Sequence, residues 1–446
     1  MCSVKNKAAK TSLLDRLPLR SGTVLKQIGT LADQREVRVY LVGGVVRDLL
    51  LRRDNWDLDL TVEGDGMSFA KAVADHYHAG LALFEKFATA RLVFPDGRKL
   101  DVTSARCESY IEPAALPDVA PASIEEDLYR RDFTINAMAI PINGPSRGCL
   151  LDPYGGWRDL KTKTIRALHE KSFVDDPTRI FRAVRFKQRF GFSLERKTAR
   201  WLRLAAETDQ IARLSGPRLC NEILLLLGEP DPVRAVKILA RLKLLRFLHP
   251  RLRFDRMASR VMGNVPRAVR WWMPQGKKHV ISVQVMMLMA LLMSAEPAVV
   301  GRVIERLSLS KEQAGKVRWA GEPIRTARAQ LQATRAMKPS EIHRLLIEMP
   351  NEALILMLAD TMAGKDRSAA SRVRPRLSLF MSRLRDCRPL LRGEDLLRGG
   401  MQPGPQVGTM LNALLVAKLN GVVRTKRDEV RLVRRMTEVA AVSGAR

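Results

Sequence analysis

The chain has 446 residues, of which 28% are charged and 46% are hydrophobic, so a disordered protein is excluded and a globular protein of two or three domains is predicted. Its formal net charge is +30, but residues 1–150 hold 20 Lys and Arg against 20 Asp and Glu, so the whole excess lies after Leu150. A neutral first third and a basic remainder predict a separate surface for a polyanion, most naturally RNA or DNA; the alternative is a basic protein with solvated arginines.

The first elements alternate between helix and strand. Residues 24–36 fit a helix, and residues 37–42 (VRVYLV) fit a short buried strand that ends at Gly43-Gly44. VVRDLLLR then predicts a helix, and WDLDLTV alternates with period two, as a half-buried strand does. This order predicts a mixed α/β domain.

The next elements continue the same order. GMSFAKAVADHYHA predicts a helix, and ARLVF-PDGR-KLDVTSA predicts a hairpin whose turn is Pro-Asp-Gly. The Pro- and Ala-rich residues 111–123 predict a mobile loop. IEEDLYRRDFTINAMAI predicts a helix or turn that leads into a helix, and GCLLDPYGGWRDL predicts a strand, a turn and a short helix.

After about Asp175 the sequence has only helical patterns. The most apolar stretch, VISVQVMMLMALLMSA (residues 280–295), is short for a bilayer and contains Gln284 and two serines, so it predicts a buried core helix and no membrane contact. The five cysteines are scattered without paired spacing, which is typical of a reducing cytoplasm rather than of a disulfide framework or a zinc site.

Asp57 and Asp59 stand two residues apart on a predicted strand, so both carboxylates point to one side. Parallel carboxylates repel each other unless a cation lies between them. Two Mg²⁺ ions roughly 4 Å apart would relieve the repulsion, activate an attacking hydroxyl and stabilise a leaving phosphate. The alternative is a solvated polar strand face. Asp101, on the hairpin, is either a third ligand or an ordinary strand-end acid.

Gly43 and Gly44 lie between a strand and a helix, where glycine lets a backbone approach a phosphate and the helix N-terminus favours an anion. Alone, such a pair is usually a tight turn, but the two aspartates one helix later favour a nucleotide site. Arg47, on that helix, either holds a phosphate or pairs with Asp48 or with an acid of the next strand.

Two further clusters carry arginines beside acids. Arg130, Arg131 and Asp132 precede a predicted helix, with Asn136 four residues after Asp132 on the same face. Arginine can bind phosphates, and Asp and Asn can bond to sugar hydroxyls. The alternative is a capped helix with a surface arginine pair.

The second cluster, FVDDPTRIFRAVRF, spaces Asp176, Arg179, Arg182 and Arg185 three residues apart. One helical face would then present an acid and three guanidiniums. An aspartate that accepts from an exocyclic amino group and an arginine that donates to ring acceptors can mimic the edge of a base. The alternative is a weak surface ion pair.

Four segments resemble, in order, the class II tRNA nucleotidyltransferase (CCA-adding enzyme) and bacterial poly(A) polymerase family of the DNA polymerase beta superfamily: LVGGVVRDLLLRRDNWDLDLTVEGD, RRDFTINAMA, LLDPYGGWRDL and DDPTRIFRAVRF. The resemblance implies an α/β nucleotidyltransferase head followed by all-α neck, body and tail domains. We therefore expect a flexible lead-in over residues 1–23, the catalytic head over 24–165, the neck with the base-reading segment over 166–230, and a basic, RNA-binding body and tail over 231–446.

The resemblance also implies roles for the site residues of the head. Asp57 and Asp59 would bind the catalytic metals, and Gly43, Gly44 and Arg47 would lie near the triphosphate. For in-line nucleotidyl transfer a third carboxylate is often needed, which makes Asp101 a catalytic candidate.

For the two later clusters, the resemblance implies contacts with the nucleotide. Arg131, Asp132 and Asn136 would contact phosphate and ribose. Asp176 and Arg179 would read the edges of CTP and ATP without a nucleic-acid template, and Arg182 and Arg185 would hold phosphates or order the helix. The residue before Asp176 is Asp175, where many members have Glu.

The resemblance thus implies an enzyme that adds C, A or both to the 3′ end of tRNA from CTP and ATP with Mg²⁺, releasing pyrophosphate. LFEKFATARLVF stands where bacterial poly(A) polymerases carry a different signature, which favours tRNA as the substrate. The open alternatives are a CC-only or A-only enzyme, a poly(A) polymerase acting on general RNA and a non-catalytic RNA-binding protein. The loop near residues 105–123 is a candidate control of the switch from C to A.

Overall fold

The computed structural model describes residues 12–54, 57–112, 114–115, 117–274, 280–364 and 367–443. The chain divides into two compact units. The first unit comprises Met1–Asp231 and Arg241–Phe247, and the second comprises Pro232–Ala240 and Leu248–Arg446. Residues 1–11 of the predicted lead-in, and Asn55 and Trp56 of the predicted second strand, lie outside the described residues.

All regular strands of the described residues belong to the first unit. They are β1 (Arg38–Val42), β2 (Leu58–Glu63), β3 (Gly80–Phe84), β4 (Thr89–Val93), β5 (Lys99–Ser104), β6 (Arg106–Ser109), β7 (Asp118–Pro121), β8 (Ala139–Pro141), β9 (Thr164–Ile165) and β10 (Ser193–Leu194). Six of them form one mixed sheet in the order β3-β4-β5-β2-β1-β8, in which only β2 and β5 run parallel. This sheet confirms the predicted α/β head.

Alternation along β2 decides which side chains enter the core. Leu58, Leu60 and Val62 are buried, whereas Asp59 points to the opposite side of the strand. The register places Asp59 beside Asp101 of β5. The sheet therefore lays two of the predicted acids side by side.

Nine helices pack with these strands in the described part of the first unit. They are α1 (Leu19–Gln34), α2 (Gly44–Leu50), α3 (Gly66–Tyr77), α4 (Ile124–Tyr129), α5 (Gly156–Lys161), α6 (Ser172–Asp175), α7 (Thr178–Phe190), α8 (Arg196–Glu207) and α9 (Gly216–Leu227). Side-chain caps fix several of their starts: Asp65 accepts from the backbone N–H of Ser68 at α3, and Ser123 forms a capping box with Glu126 at α4.

The regular structure of the described second unit is helical, as predicted. After α10 (Pro232–Arg241) come α11 (Arg256–Trp272), α12 (Val283–Leu291), α13 (Pro297–Arg306), α14 (Lys311–Val317), α15 (Glu322–Gln332), α16 (Pro339–Leu346), α17 (Asn351–Ala363), α18 (Arg367–Leu379), α19 (Gly393–Arg398), α20 (Pro405–Leu419) and α21 (Lys426–Ser443). Residues 285–291 of α12 are all buried, which confirms the predicted core helix. Among the described residues, no helix combines the length and apolarity that a bilayer span needs.

The region after Asp175 is not purely helical, because β10 lies there and pairs parallel with β9. Three further local predictions were wrong. Residues 13–23 do not form a flexible lead-in, because a 3₁₀ turn (Leu13–Arg16) and the start of α1 lie there and bury Leu14 and Leu17. The loop predicted over residues 111–123 contains β7, which pairs antiparallel with β6.

The third error concerns the helix predicted within DFTINAMAI. Thr134–Asn136 form only a 3₁₀ turn, and the apolar residues that follow become β8. β8 lies at the edge of the sheet, where Pro141 is tolerated because its missing N–H faces no neighbouring strand.

Candidate functional site

A cavity of about 550 Å³ in the first unit collects most of the residues singled out in the sequence. Twelve of the thirteen predicted site residues line it, and Asp101 alone lies outside. They come from elements as distant in sequence as α2 and α7. Further lining residues, which the sequence did not single out, include Glu108, Tyr110 and Arg189.

The paired acids lie at the start of β2. Asp59 lies within the strand, Asp57 directly precedes it, and Asp101 faces Asp59 from β5. Burial raises the pKa of Asp59 to about 6, the negative charges of Asp101 and Asp57 add to this, and Arg131 partly opposes it. The carboxylate of Asp101 already accepts two hydrogen bonds, both of 2.7 Å, from the guanidinium of Arg91 on β4.

These acids suit an open cation site rather than a closed one. Among the described residues, no group of three or more His, Cys, Asp and Glu side chains is arranged to hold a metal ion. Asp57 and Asp59 offer carboxylate oxygens, and Mg²⁺ typically takes one or two protein carboxylates together with water and substrate phosphates. The pair therefore fits a divalent cation that is shared with a phosphate-bearing ligand.

Without a cation, Asp59→Asn should stabilise the protein at pH 7 by on the order of 2 kcal/mol. The folded state binds the proton of Asp59 more tightly than the unfolded chain, whose pKa is near 3.8, so stability falls as pH rises from about 4 to about 6. Thermal unfolding in a chelating buffer between pH 4 and pH 7 measures the difference. A variant that is less stable than the parent at pH 7 would contradict the raised pKa.

Gly43 makes close packing possible where β1 leads into α2. Its φ is 74°, in the left-handed region that favours glycine, and its N–H donates to the carbonyl of Met138. A Cβ at this position would lie 2.9 Å from Nη1 of Arg131. The glycine therefore lets an arginine approach the backbone at the edge of the cavity.

Arg47 pairs inside the protein. Its Nε and Nη2 each donate to the carboxylate of Asp48 at 2.8 Å, and its Nη1 donates to Oδ1 of Asn136 at 2.6 Å. The guanidinium also lies 4.8 Å from the ring centre of Phe190. Of the alternatives left open by the sequence, the pairing with Asp48 is the one observed, and Arg47 is a buried part of the cavity wall.

The wall continues from Asn136 to α7. Nδ2 of Asn136 donates to Oδ1 of Asp132 at 2.8 Å, and Nε of Arg182 donates to Oδ2 of the same carboxylate at 2.7 Å. Burial alone would raise the pKa of Asp132, but Arg182 and the hydrogen bond from Asn136 outweigh it and hold this pKa low. Asp132 and Asn136 therefore lie together as predicted, although the turn between them is a 3₁₀ turn and not an α-helix.

Asp127, which was not predicted from the sequence, bridges Arg130 and Arg131. Its buried carboxylate accepts from Nη2 of Arg130 at 2.6 Å and from Nη2 of Arg131 at 2.8 Å. The i,i+3 and i,i+4 spacings from Asp127, near the end of α4, to the two arginines that follow this helix could have revealed it. Arg130 also donates to Glu108 at 2.7 Å, and the hydroxyl of Tyr110 donates to the same carboxylate at 2.9 Å. No local sequence pattern marked Glu108 and Tyr110 as site residues, because the hairpin of β6 and β7 that carries them was not predicted.

Asp176 and Arg179 do not pair with each other. Asp176 has an extended backbone before α7, and its Oδ1 accepts from the hydroxyl of Thr178 at 2.6 Å and from Nη2 of Arg218 at 2.8 Å. It is therefore not on the helical face where the spacing placed it. Arg179 is buried and donates to Oγ of Ser172 at 2.8 Å and to the backbone carbonyl of Arg130 at 2.7 Å.

Seven arginines line the cavity, and six of them form ion pairs with carboxylates of the protein. On α7, Arg185 lies 3.9 Å from Glu222 and Arg189 lies 2.5 Å from Glu229. Nε of Arg185 and Oε2 of Glu222 have no hydrogen-bond partner among the described residues. Burial lowers the pKa of Arg185 and raises that of Glu222, so this contact is the least compensated of the six.

Two family models match the chain. Residues 39–166 match the poly A polymerase head domain, and residues 191–255 match a probable RNA and SrmB-binding site of polymerase A. The first match covers the six-stranded sheet, and the second begins just after α7.

Three curated relatives carry related names. A-adding tRNA nucleotidyltransferase from Geobacter sulfurreducens is 38% identical over 95% of this chain and 48% of its own length, so the chain spans about half of that relative. A-adding tRNA nucleotidyltransferase from Halalkalibacterium halodurans is 32% identical over 92% of this chain and 91% of its own length. CC-adding tRNA nucleotidyltransferase from Deinococcus radiodurans is 38% identical over 46% of this chain and 54% of its own length.

Solved structures give the same picture over nearly the full length. A CCA-adding enzyme in apo form II has a TM-score of 0.77 and 33% identity, with 95% of this chain and 97% of that chain covered. The Thermotoga maritima CCA-adding enzyme complexed with tRNA-CCA has a TM-score of 0.71 and 31% identity, again with 95% and 97% covered.

Proposed function

The chain belongs to the tRNA nucleotidyltransferase family, and we propose that it adds A, or C and A, to the 3′ end of tRNA from ATP and CTP with release of pyrophosphate. The observation that carries the proposal is the 550 Å³ cavity, in which the paired acids Asp57 and Asp59 lie together with Asp176 and with seven arginines, one of which is Arg179. Relatives similar over 92% and 95% of the chain are named A-adding, and full-length structural neighbours are named CCA-adding. Addition of A is common to both groups.

Enzymes of this family generally depend on a divalent cation, and we assign Asp57 and Asp59 to hold it, with Mg²⁺ as the ion. When bound, Mg²⁺ would favour the ionised 3′ hydroxyl and offset negative charge on the pyrophosphate that leaves. The raised pKa of Asp59 supports this assignment, because a carboxylate that is buried and lies near other acids gains most from a cation. In this proposal Asp101 orders the site through Arg91 or serves as a third ligand.

The arginines of the cavity would bind and orient the triphosphate. Arg131 lies against Gly43, so phosphate oxygens could reach both the guanidinium and the nearby backbone. Asp132 and Asn136, fixed by their mutual hydrogen bond and by Arg182, would bond to the ribose hydroxyls. Rigid pairing keeps these groups in place before the nucleotide arrives, which favours an in-line geometry.

Asp176 and Arg179 would select the base. Cytosine and adenine both present an exocyclic amino group beside a ring nitrogen acceptor, whereas uracil and guanine reverse this order. An aspartate that accepts from the amino group and an arginine that donates to the ring nitrogen therefore suit C and A. The anchoring of Asp176 by Arg218, and of Arg179 by Ser172, supports this role, since both side chains are held by neighbours.

The decisive experiment supplies one labelled nucleotide at a time to three RNAs: a tRNA ending before CCA, a tRNA ending in CC, and an unrelated RNA. We expect one labelled A on the tRNA that ends in CC. Incorporation of C into the shorter tRNA separates a CCA-adding from an A-adding enzyme. Long A tracts on the unrelated RNA would indicate a poly(A) polymerase, and the absence of any product would favour a non-catalytic RNA-binding protein.

A further inference from the structure

A second cavity, of about 520 Å³, adjoins the first one along α2 and the residues that follow this helix. We call it the strand pocket. Val45, in the first turn of α2, lines both cavities. Three arginines line the strand pocket, namely Arg16, Arg52 and Arg53, together with one acid, Asp54. Its volume is in the range of pockets that hold a small organic ligand.

The strand pocket combines an apolar floor with a basic rim. Leu17, Val45 and Leu49 are buried, whereas Arg16 and Arg52 are exposed. An apolar surface suits a base or a ribose ring, and exposed guanidiniums suit phosphate oxygens. A nucleotide has both parts.

The charges of the strand pocket differ from those of the first cavity. Arg16, Arg52 and Arg53 form no ion pair with a carboxylate of the described residues, whereas six arginines of the first cavity do. Arg53 is held instead by Phe190, whose ring centre lies 5.0 Å from its guanidinium. The positive charge of this pocket is thus available to an external anion.

Arg52 also has an unusual backbone. It follows α2 with φ 55°, in the left-handed region where helices commonly end in glycine. An arginine at this position costs stability relative to glycine. A contact between the Arg52 guanidinium and a ligand at the rim of the pocket would explain why an arginine, and not a glycine, stands at this strained position.

We propose that the strand pocket binds a nucleotide of the RNA strand immediately before its reactive 3′ end. The inference rests on the proposed function, because the strand whose 3′ hydroxyl enters the first cavity must leave it through a neighbouring surface. The shared wall at Val45 places the strand pocket next to that cavity, and Asp54 is only three residues from Asp57. The base or ribose lies on the apolar floor, and the adjoining phosphates contact Arg16, Arg52 and Arg53.

The test measures tRNA binding without nucleoside triphosphates, for Arg52→Gly and Arg16→Ala, as a function of salt concentration. The first RNA is a tRNA ending in CC, and the second is the same tRNA with its single-stranded 3′ end removed. Each variant should bind the first RNA several-fold more weakly, with a salt slope reduced by about 1, and should bind the second RNA like the parent protein. Arg52→Gly removes a left-handed arginine, so its thermal stability should equal or exceed that of the parent.

Arg35→Ala is the matched control, because Arg35 is also exposed, lies in the same unit and lines neither cavity. It should leave the binding of both RNAs unchanged. Equal losses on both RNAs, or no loss on either, would overturn the proposal. So would an increase in the KM for ATP with unchanged tRNA binding, which would indicate a nucleotide or pyrophosphate site. Because binding is measured without turnover, a protein that binds as expected but adds no nucleotide would contradict only the proposed function.

Discussion

Replacing Asp57 by Ala should lower the rate of nucleotide addition by roughly 10³-fold or more, because a metal ion contributes several kcal/mol and each tenfold in rate corresponds to about 1.4 kcal/mol. Asp57 is exposed at the start of β2, so its loss should not unfold the sheet. Single-turnover addition of labelled A to a tRNA ending in CC measures the rate. Binding of the same tRNA should remain nearly unchanged.

Asp101→Ala distinguishes the two proposed roles of Asp101, which either orders Arg91 or serves as a third metal ligand. If Asp101 only orders Arg91, activity should fall modestly and Arg91→Ala should reproduce the fall. If Asp101 is a metal ligand, its loss should match that of Asp57, while Arg91→Ala should be far milder. An Asp57→Ala variant that retains the parent rate would refute the assignment of the metal site.

Arg179→Ala should remove the selection between ATP or CTP and the other two nucleotides. A guanidinium that donates to a base edge contributes about 1–3 kcal/mol of discrimination, which is roughly 10- to 100-fold in kcat/KM. Arg179 is suited to this because its contacts with Ser172 and with the carbonyl of Arg130 fix its direction. The measurement compares kcat/KM for ATP, CTP, GTP and UTP on one tRNA.

Ser172→Ala provides the control for Arg179. It keeps the guanidinium but removes one of its anchors, so selectivity should weaken without disappearing. Because Arg179 is buried, the thermal stability of both variants is measured in parallel. Unchanged discrimination in a folded Arg179→Ala protein would contradict the base-reading role.

Local spacing in the sequence was sufficient to find most of the residues that line the cavity. The i,i+2 pair at Asp57 and Asp59 follows from strand geometry, and the i,i+3 series on α7 follows from helix geometry. Both periodicities act over a few residues and can therefore be read without knowledge of the fold. The sheet that carries the aspartates was foreseen for the same reason.

The partners of these residues could not be foreseen, because they come from elements distant in sequence. Glu222 and Glu229 reach the arginines of α7 from α9 and the turn after it, and Arg218 reaches Asp176 from α9. Only the register of β4 and β5 shows that Arg91 lies opposite Asp101, and only that of β2 and β5 shows that Asp101 lies beside Asp59. Pairing across a sheet or between helices depends on tertiary packing, to which a local pattern is insensitive.

If the proposed function is correct, the ion pairs of the cavity arginines would affect the release of product. Seven unneutralised guanidiniums would hold pyrophosphate so tightly that its departure would limit turnover. Here six of them already pair with a carboxylate, so an arriving triphosphate would compete with internal anions, and those anions would recover their partners when pyrophosphate leaves. The acids around the cavity would thus weaken the net attraction of the arginines for phosphate, so that nucleotide binding stays strong enough for reaction and weak enough for exchange between successive additions.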